Sequence, residues 1–170
     1  MYPLRTDLHS YSLCLESLEP PGLPVAEQRE YPKQPLIGVG AIIVQSGRVV
    51  LVKRGHAPLA GEWSIPGGVL EIGETMREGV IREAHEETGL AIEPLELLGV
   101  FDRLTRDERG QVVYHYVLVD FLCRVVGGDL KAADDAVEAC WFNSDEVAGL
   151  SLPPDTLKAV RQGIEKTTDK

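Results

Sequence analysis

Cysteine is scarce in this 170-residue chain, with Cys14, Cys123 and Cys140 the whole complement. An odd number without metal-site spacing argues against a disulfide framework or a zinc cluster, so they read as reduced structural residues of a cytoplasmic protein. The four histidines, His9, His56, His85 and His115, also lack zinc spacing. Long apolar runs are missing too. The longest uncharged stretch, residues 34–47, is too short for a bilayer and is broken by Pro35, Gly38 and Gly40. Residues 1–10 have no apolar centre of the signal-peptide kind. Positive charge is in deficit, 17 Lys and Arg against 27 Asp and Glu, for a net charge of −10. Such a surface repels nucleic acid and anionic membranes, so neither is expected as a partner. No internal repeat is visible.

What is present suits one compact domain, since 44% apolar content over this length supplies a core. Residues 1–33 carry Pro3, Pro20, Pro21, Pro24 and Pro32 without periodicity and read as an extended arm, with a short helix near residues 25–30. Residues 34–170 form the expected domain. Leu36 to Gln45 and residues 48–53 are β-prone and joined by the turn Ser46-Gly47, so they read as a hairpin. Residues 95–101 read as a short strand and residues 102–111 as a charged loop holding Arg103, Arg106 and Arg109. Residues 112–125 read as a long strand covered on both sides, with Tyr114, Tyr116 and Leu118 on one face and Val117, Val119 and Phe121 on the other. Gly127-Gly128 reads as a turn before the acid-rich residues 129–138. Two helices follow, Ser144 to Ala148 and one from Pro154 that buries Leu157, Val160 and Ile164. Hairpin, helix, strands and helix in that order give an α/β class, a mixed sheet between helices.

Residues 68–90 carry the chemistry. Thr75 and Glu78 make a capping box and Gly89 a left-handed stop, which predicts a helix of about fourteen residues. With Glu83 as zero, Glu87 lies at roughly +40° and Glu86 at roughly −60°, so three carboxylates share one face. Val80, Ala84 and Ile81, at roughly +60°, +100° and +160°, form an apolar stripe beside them. Like charges three and four residues apart cost a helix a few tenths of a kcal/mol per pair, and Arg82 offsets only part of that. A hard divalent cation such as Mg2+ resolves the repulsion, because it prefers carboxylate oxygens and keeps waters that a phosphate can replace. Gly79, on the same face, leaves room for a metal, water or phosphate to approach. The basic cluster Lys53, Arg54 and His56 stands where it can meet phosphate oxygens, and Arg106 and Arg109 are candidates to clamp a substrate phosphate or terminal sugar.

Gly68, Glu74, Arg82, Glu83, Ala84, Glu86, Glu87, Gly89 and Leu90 fill every defined position of a signature, Gly-x(5)-Glu-x(7)-Arg-Glu-U-x-Glu-Glu-x-Gly-U with U apolar. The stretch resembles that of the Nudix hydrolases, and Trp63-Ser-Ile-Pro-Gly-Gly68 is similar to the segment before it in many members. The resemblance covers roughly residues 34–162 and implies an α/β/α sandwich. It also implies Mg2+, or Mn2+ in its place, held by Glu83, Glu86, Glu87 and the Gly68 carbonyl, with Arg82 and Glu74 orienting the glutamates. The implied reaction is hydrolysis of a pyrophosphate bond in a nucleoside diphosphate linked to another moiety. Arg106-Asp-Glu-Arg-Gly110 and Ala133-Asp-Asp-Ala136 look similar to ADP-ribose pyrophosphatase-like members, which points to ADP-ribose or a nucleotide sugar. An oxidised nucleoside triphosphate is the competing substrate, and a non-catalytic nucleotide-sugar sensor is the reading from another class. An isoprenoid diphosphate isomerase would need cysteine and acid chemistry that has no place here. Members of that family often place a further acid downstream. Glu138 is the choice, with Asp134 and Asp135 behind it, and the sequence leaves Glu83 and Glu138 both open as general base. N-terminal arms in the family often contribute to dimers, so a homodimer is expected.

Overall fold

A computed structural model describes residues 29–55 and 60–168. The hairpin forms as β1 (Leu36–Gln45) and β2 (Arg48–Arg54), turning at Ser46 and Gly47, both with positive φ. Short strands β3 (Trp63–Ser64) and β4 (Gly67–Val69) lead into helix α1 (Met76–Thr88). Then come β5 (Leu90–Arg106), β6 (Val112–Gly128), β7 (Ala136–Phe142), α2 (Ser144–Ala148) and α3 (Pro154–Thr168). The sheet order is β3-β2-β1-β6-β5, with β4 on β1 and β7 on β2. β1 and β6 run parallel, from Leu36 opposite Tyr116 to Ile43 opposite Cys123, while the other pairs are antiparallel. The sheet is mixed, as expected.

Both faces of the centre are covered. Alternation along β1 sends Val39, Ala41 and Ile43 to Val80 and Ala84 of α1, while Ile42 and Val44 meet Val147 of α2 and Val160 and Ile164 of α3. The two clusters make the α/β/α sandwich. Among the described residues no helix is long and apolar enough to cross a membrane.

Several local expectations are corrected. The strand expected over residues 95–101 is 17 residues long and takes in Arg103 and Arg106, because pairing with β6 extends the ladder through a charged segment; Arg103 lies opposite Tyr116. Only the turn around Gly110, φ +79°, remains as loop. Gly127 and Gly128 continue β6 opposite Ala91 and Leu90 instead of turning the chain. Ile81 is exposed, so the apolar stripe of α1 is narrower than its wheel position suggested. β6 is fully covered only from Val119 to Cys123. Of the arm, Tyr31 N–H donates to the Val113 carbonyl at 2.8 Å and Tyr114 Oη donates to Glu30 at 2.5 Å; most of the short helix expected there lies outside the described residues. Cys123 is buried as expected, Cys140 is exposed, and Cys14 lies outside the described residues.

Gly163 of α3 sets how closely that helix approaches β1, since a Cβ there would stand 2.6 Å from Cγ2 of the buried Ile42. Gly163→Ala gains about 1 kcal/mol of helix preference but incurs an overpacking cost of about 1–3 kcal/mol. The expected outcome is a lower urea midpoint. A higher one would show that Ile42 can move aside.

Candidate active site

α1 begins and ends as its sequence dictates. Thr75 accepts from Glu78 N–H while the Glu78 carboxylate accepts from Thr75 N–H, and Gly89, φ +69°, donates its N–H to the His85 carbonyl. The thirteen-residue frame fixes where the acids emerge. Gly68 is placed by β4 pairing on β1, Val39 opposite Gly68, and its missing side chain is a requirement: a Cβ there would run into the Glu83 carboxylate.

The centre of the arrangement is one guanidinium. Arg82 donates from Nε and Nη2 to the two oxygens of Glu74, at 2.7 and 3.0 Å. Its Nη1 donates to Glu83 at 2.8 Å and Glu86 at 3.1 Å, and Nη2 also donates to the Val69 carbonyl at 3.2 Å. Hydrogen bonding from Arg82 holds the Glu74 carboxyl down at about 2, and the same contacts keep Arg82 protonated. Glu87 takes a different partner, accepting from Gly67 N–H at 2.9 Å. Burial pushes its carboxyl up to about 7, with neighbouring Glu83 and Asp135 adding to the push. Burial also raises Glu83.

The Gly67–Gly68 backbone that meets Glu87 and Glu83 also borders a cavity of about 120 Å³, walled by β1, the 64–69 segment, Arg54 at the end of β2, Arg103 of β5, the middle of β6 and Thr156 of α3. Arg54, singled out from the sequence, lines it, as does Arg29, which was not. The Nε atoms of both are buried without a hydrogen-bond partner among the described residues. Arg106 instead donates to the Gly110 carbonyl and Arg109 is exposed in the turn, so neither is brought to the cavity. Arg103 is. Glu138 stands on β7, paired with Lys53 at 2.9 Å across β2 and away from the cavity walls. Asp134, φ +51°, and Asp135 lie just before that strand, and Asp135 is the nearer of the three acids to Glu87 in electrostatic effect. Gly79 is packed, since a Cβ would meet Leu70 at 2.8 Å and Glu74 at 3.2 Å; the protein's own side chains fill the room expected for a ligand. His56 lies outside the described residues.

A family model for the NUDIX domain matches residues 34–164. The chain belongs to the Nudix family. An ADP-ribose pyrophosphatase from Methanocaldococcus jannaschii is 41% identical over 118 residues, 69% of this chain and 68% of that one. The 8-oxo-dGDP phosphatase NUDT18 from Mus musculus is 32% identical over 145 residues, 82% of this chain but 42% of that one. The crystal structure of a MutT NUDIX hydrolase from Burkholderia pseudomallei aligns with a TM-score of 0.62 at 34% identity, covering 78% of this chain and 98% of that chain. The activity class is accordingly that of a Nudix pyrophosphohydrolase.

Nudix enzymes generally use divalent metals, and the donor chemistry here fits one. The oxygens are hard, and among the described residues the buried Glu87 carboxylate accepts from an amide and from no Lys or Arg side chain. Among the described residues no three acidic, histidine or cysteine side chains yet gather around one point. Arg82 accounts for this, because Glu83 and Glu86 both turn to its Nη1.

Asp120 is a buried acid that the sequence reading passed over, although an aspartate inside an otherwise apolar strand was a legible signal. Burial raises its carboxyl to about 6 against an ordinary 3.8, while Arg103 opposes and Asp155 reinforces the rise. A raised folded-state value means that its contribution to stability is full below about pH 4 and is lost as pH climbs through about 6. Relative to Asp120→Asn, wild-type stability should fall by roughly 2–3 kcal/mol between pH 4 and pH 8, read by urea unfolding. A pH-independent difference would mean that the carboxyl is well solvated.

Proposed function

We propose that the Nudix domain, residues 34–170, hydrolyses the pyrophosphate bond of a nucleoside diphosphate linked to a second moiety, with ADP-ribose or a related nucleotide sugar as substrate. The observation that carries this reading is the juxtaposition of Glu83 and Glu86, held by Arg82, and Glu87, held by the Gly67 amide, with a cavity beside Gly67 and Gly68 into which Arg29 and Arg54 bring positive charge. The similarity to an ADP-ribose pyrophosphatase supports the choice of substrate.

A Mg2+ or Mn2+ ion, when bound, neutralises phosphoryl oxygens and makes water acidic enough to attack. Glu83, Glu86, Glu87 and the Gly68 carbonyl would hold it. Arg82 fixes the rotamers of Glu83 and Glu86, and Glu74 in turn fixes Arg82 by a two-point contact, so these two acids are held next to each other on α1. Arg29 and Arg54, each with an unbonded Nε, take phosphoryl oxygens and hold the diphosphate against the helix. Glu83 is favoured over Glu138 as general base: it lies against Gly68 at the cavity wall, whereas Glu138 is bonded to Lys53 outside it. Arg106 and Arg109, away from the cavity, are not needed for this step.

A second reading, clearance of oxidised nucleotides, has partial support from the similarity to NUDT18, an 8-oxo-dGDP phosphatase. Residues 1–33 are taken as an extension whose last described residues bind β6, the enzyme as a cytoplasmic homodimer, and its ligand as a small nucleotide. Light scattering during gel filtration reads the dimer, and a monomer at working concentration would remove it.

The substrate test is product release from ADP-ribose, nucleotide sugars, dinucleotides and nucleoside triphosphates with Mg2+ or Mn2+. ADP-ribose should give AMP and ribose phosphate, whereas release of pyrophosphate from triphosphates alone would select the second reading. Binding of ADP-ribose without turnover would select the sensor. Glu87→Gln should lower kcat by about two orders of magnitude or more with an unchanged circular dichroism spectrum. Wild-type-like turnover would sink its role. Glu138→Gln should stay within about threefold of wild type if Glu83 is the base; a collapse there would reverse the assignment.

A further inference from the structure

The cavity has two electrically distinct ends. At one end, beside Gly67 and Gly68, Arg29 acts on Glu83 and Tyr116, and Arg54 on Glu87 and Tyr116, so both guanidiniums are felt by the α1 acids and by the cavity wall. At the other end, Asp120 is influenced by Arg103 and Asp155. Arg103 does not bond it but donates to Thr156 Oγ1 at 3.4 Å.

The register of β6 explains why Asp120 faces this cavity. Val119 and Phe121 on either side pack towards α1, so alternation turns Asp120 to the opposite face. Its partners in register are glycines on both sides, Gly40 on β1 and Gly99 on β5. The ring of Phe101 lies over Gly99. At Gly40 there is no such cover, and a Cβ would strike the Asp120 carboxylate and stand 2.6 Å from Cδ1 of Ile65. The carboxylate thus borders the cavity between apolar Ile65 and Leu118, only 4% exposed, and among the described residues no group donates a hydrogen bond to it. An acceptor left in that state destabilises a fold, so its partner is to be sought in a ligand.

We infer that Asp120 is a specificity-determining residue: its carboxylate accepts a hydrogen bond from an N–H or O–H donor on the non-phosphate part of the substrate. This rests on the diphosphate-hydrolase reading for the substrate class and deepens it. Phosphates go to the Arg29 and Arg54 end, and Asp120 repels them from its own. A neutral, donor-bearing group is what the second end admits, either a base amino group or ribose hydroxyls. The same feature accounts for an acid that the fold itself does not need.

The test measures calorimetric affinity and kcat/KM for ADP-ribose, an analogue with hypoxanthine in place of adenine, and an analogue lacking the terminal ribose hydroxyls. Wild type, Asp120→Asn and Asp120→Leu are compared. Wild type should bind one analogue about tenfold or more weakly than ADP-ribose, and which one it is distinguishes base from sugar. In Asp120→Leu that penalty should shrink to about threefold or less, with Asp120→Asn, which keeps one acceptor, between. Both variants should melt at or above the wild-type temperature at pH 7.5, where a purely structural acid would give lower melting. Equal affinity of wild type for all three ligands overturns the proposal, as does a penalty unchanged in both variants, or no binding of ADP-ribose at all. Should Asp120→Leu fail to fold, Asp120→Asn decides, because a halved hydrogen-bonding capacity still reduces the penalty. Discrimination in affinity without hydrolysis removes only the hydrolase reading for this ligand. Hydrolysis without an Asp120-dependent penalty removes only the present proposal.

Discussion

The contact on which the site depends is the Arg82 guanidinium, held to both oxygens of the Glu74 carboxylate by two hydrogen bonds and extended from there to Glu83, Glu86 and the Val69 carbonyl. Four residues that repel one another or dangle when considered singly become one rigid object. A planar fork is needed for this, since an ammonium could neither engage two oxygens of one carboxylate in parallel nor keep its remaining donors aimed at two more. The helix supplies the spacing and the cation the restraint. Without it the like charges on α1 would be relieved by side-chain rotation into solvent, and the acids would lose their common direction.

The sheet sets where that object is displayed. β4 lies on β1 with glycines in the pairing, so the turn before α1 comes close enough for Gly67 N–H to reach Glu87 and for the Gly68 backbone to touch Glu83. Close backbone approach also explains the partial burial of the acids and hence the upward displacement of Glu83 and Glu87. Parallel pairing of β1 with β6 then carries the cavity onwards to Asp120.

Much of this was legible in the chain. The capping box, the left-handed Gly89, the common face of Glu83, Glu86 and Glu87 and the hairpin turn at Ser46 and Gly47 all appear where local spacing puts them. Errors fell where a strand's length depended on its neighbour. Residues 102–106 look like a loop by composition, yet β6 offers a continuous ladder and they join it. Arg103 is thereby fixed opposite Tyr116 and faces the cavity, while Arg106 and Arg109 at the far end of the hairpin do not reach it.

The sequence by itself determined the helix frame, its ends and the angular relation of its acids, because those follow from 3.6 residues per turn and need no knowledge of the rest of the chain. Only the tertiary structure decided that Arg29 and Arg54 share a cavity with the Gly67–Gly68 backbone that touches those acids, that Glu138 is bound to Lys53 outside it, and that Asp120 lies between two glycines with no donor among the described residues. Those relations join residues far apart along the chain. Strand register and burial set them, and neither is encoded in any single local stretch.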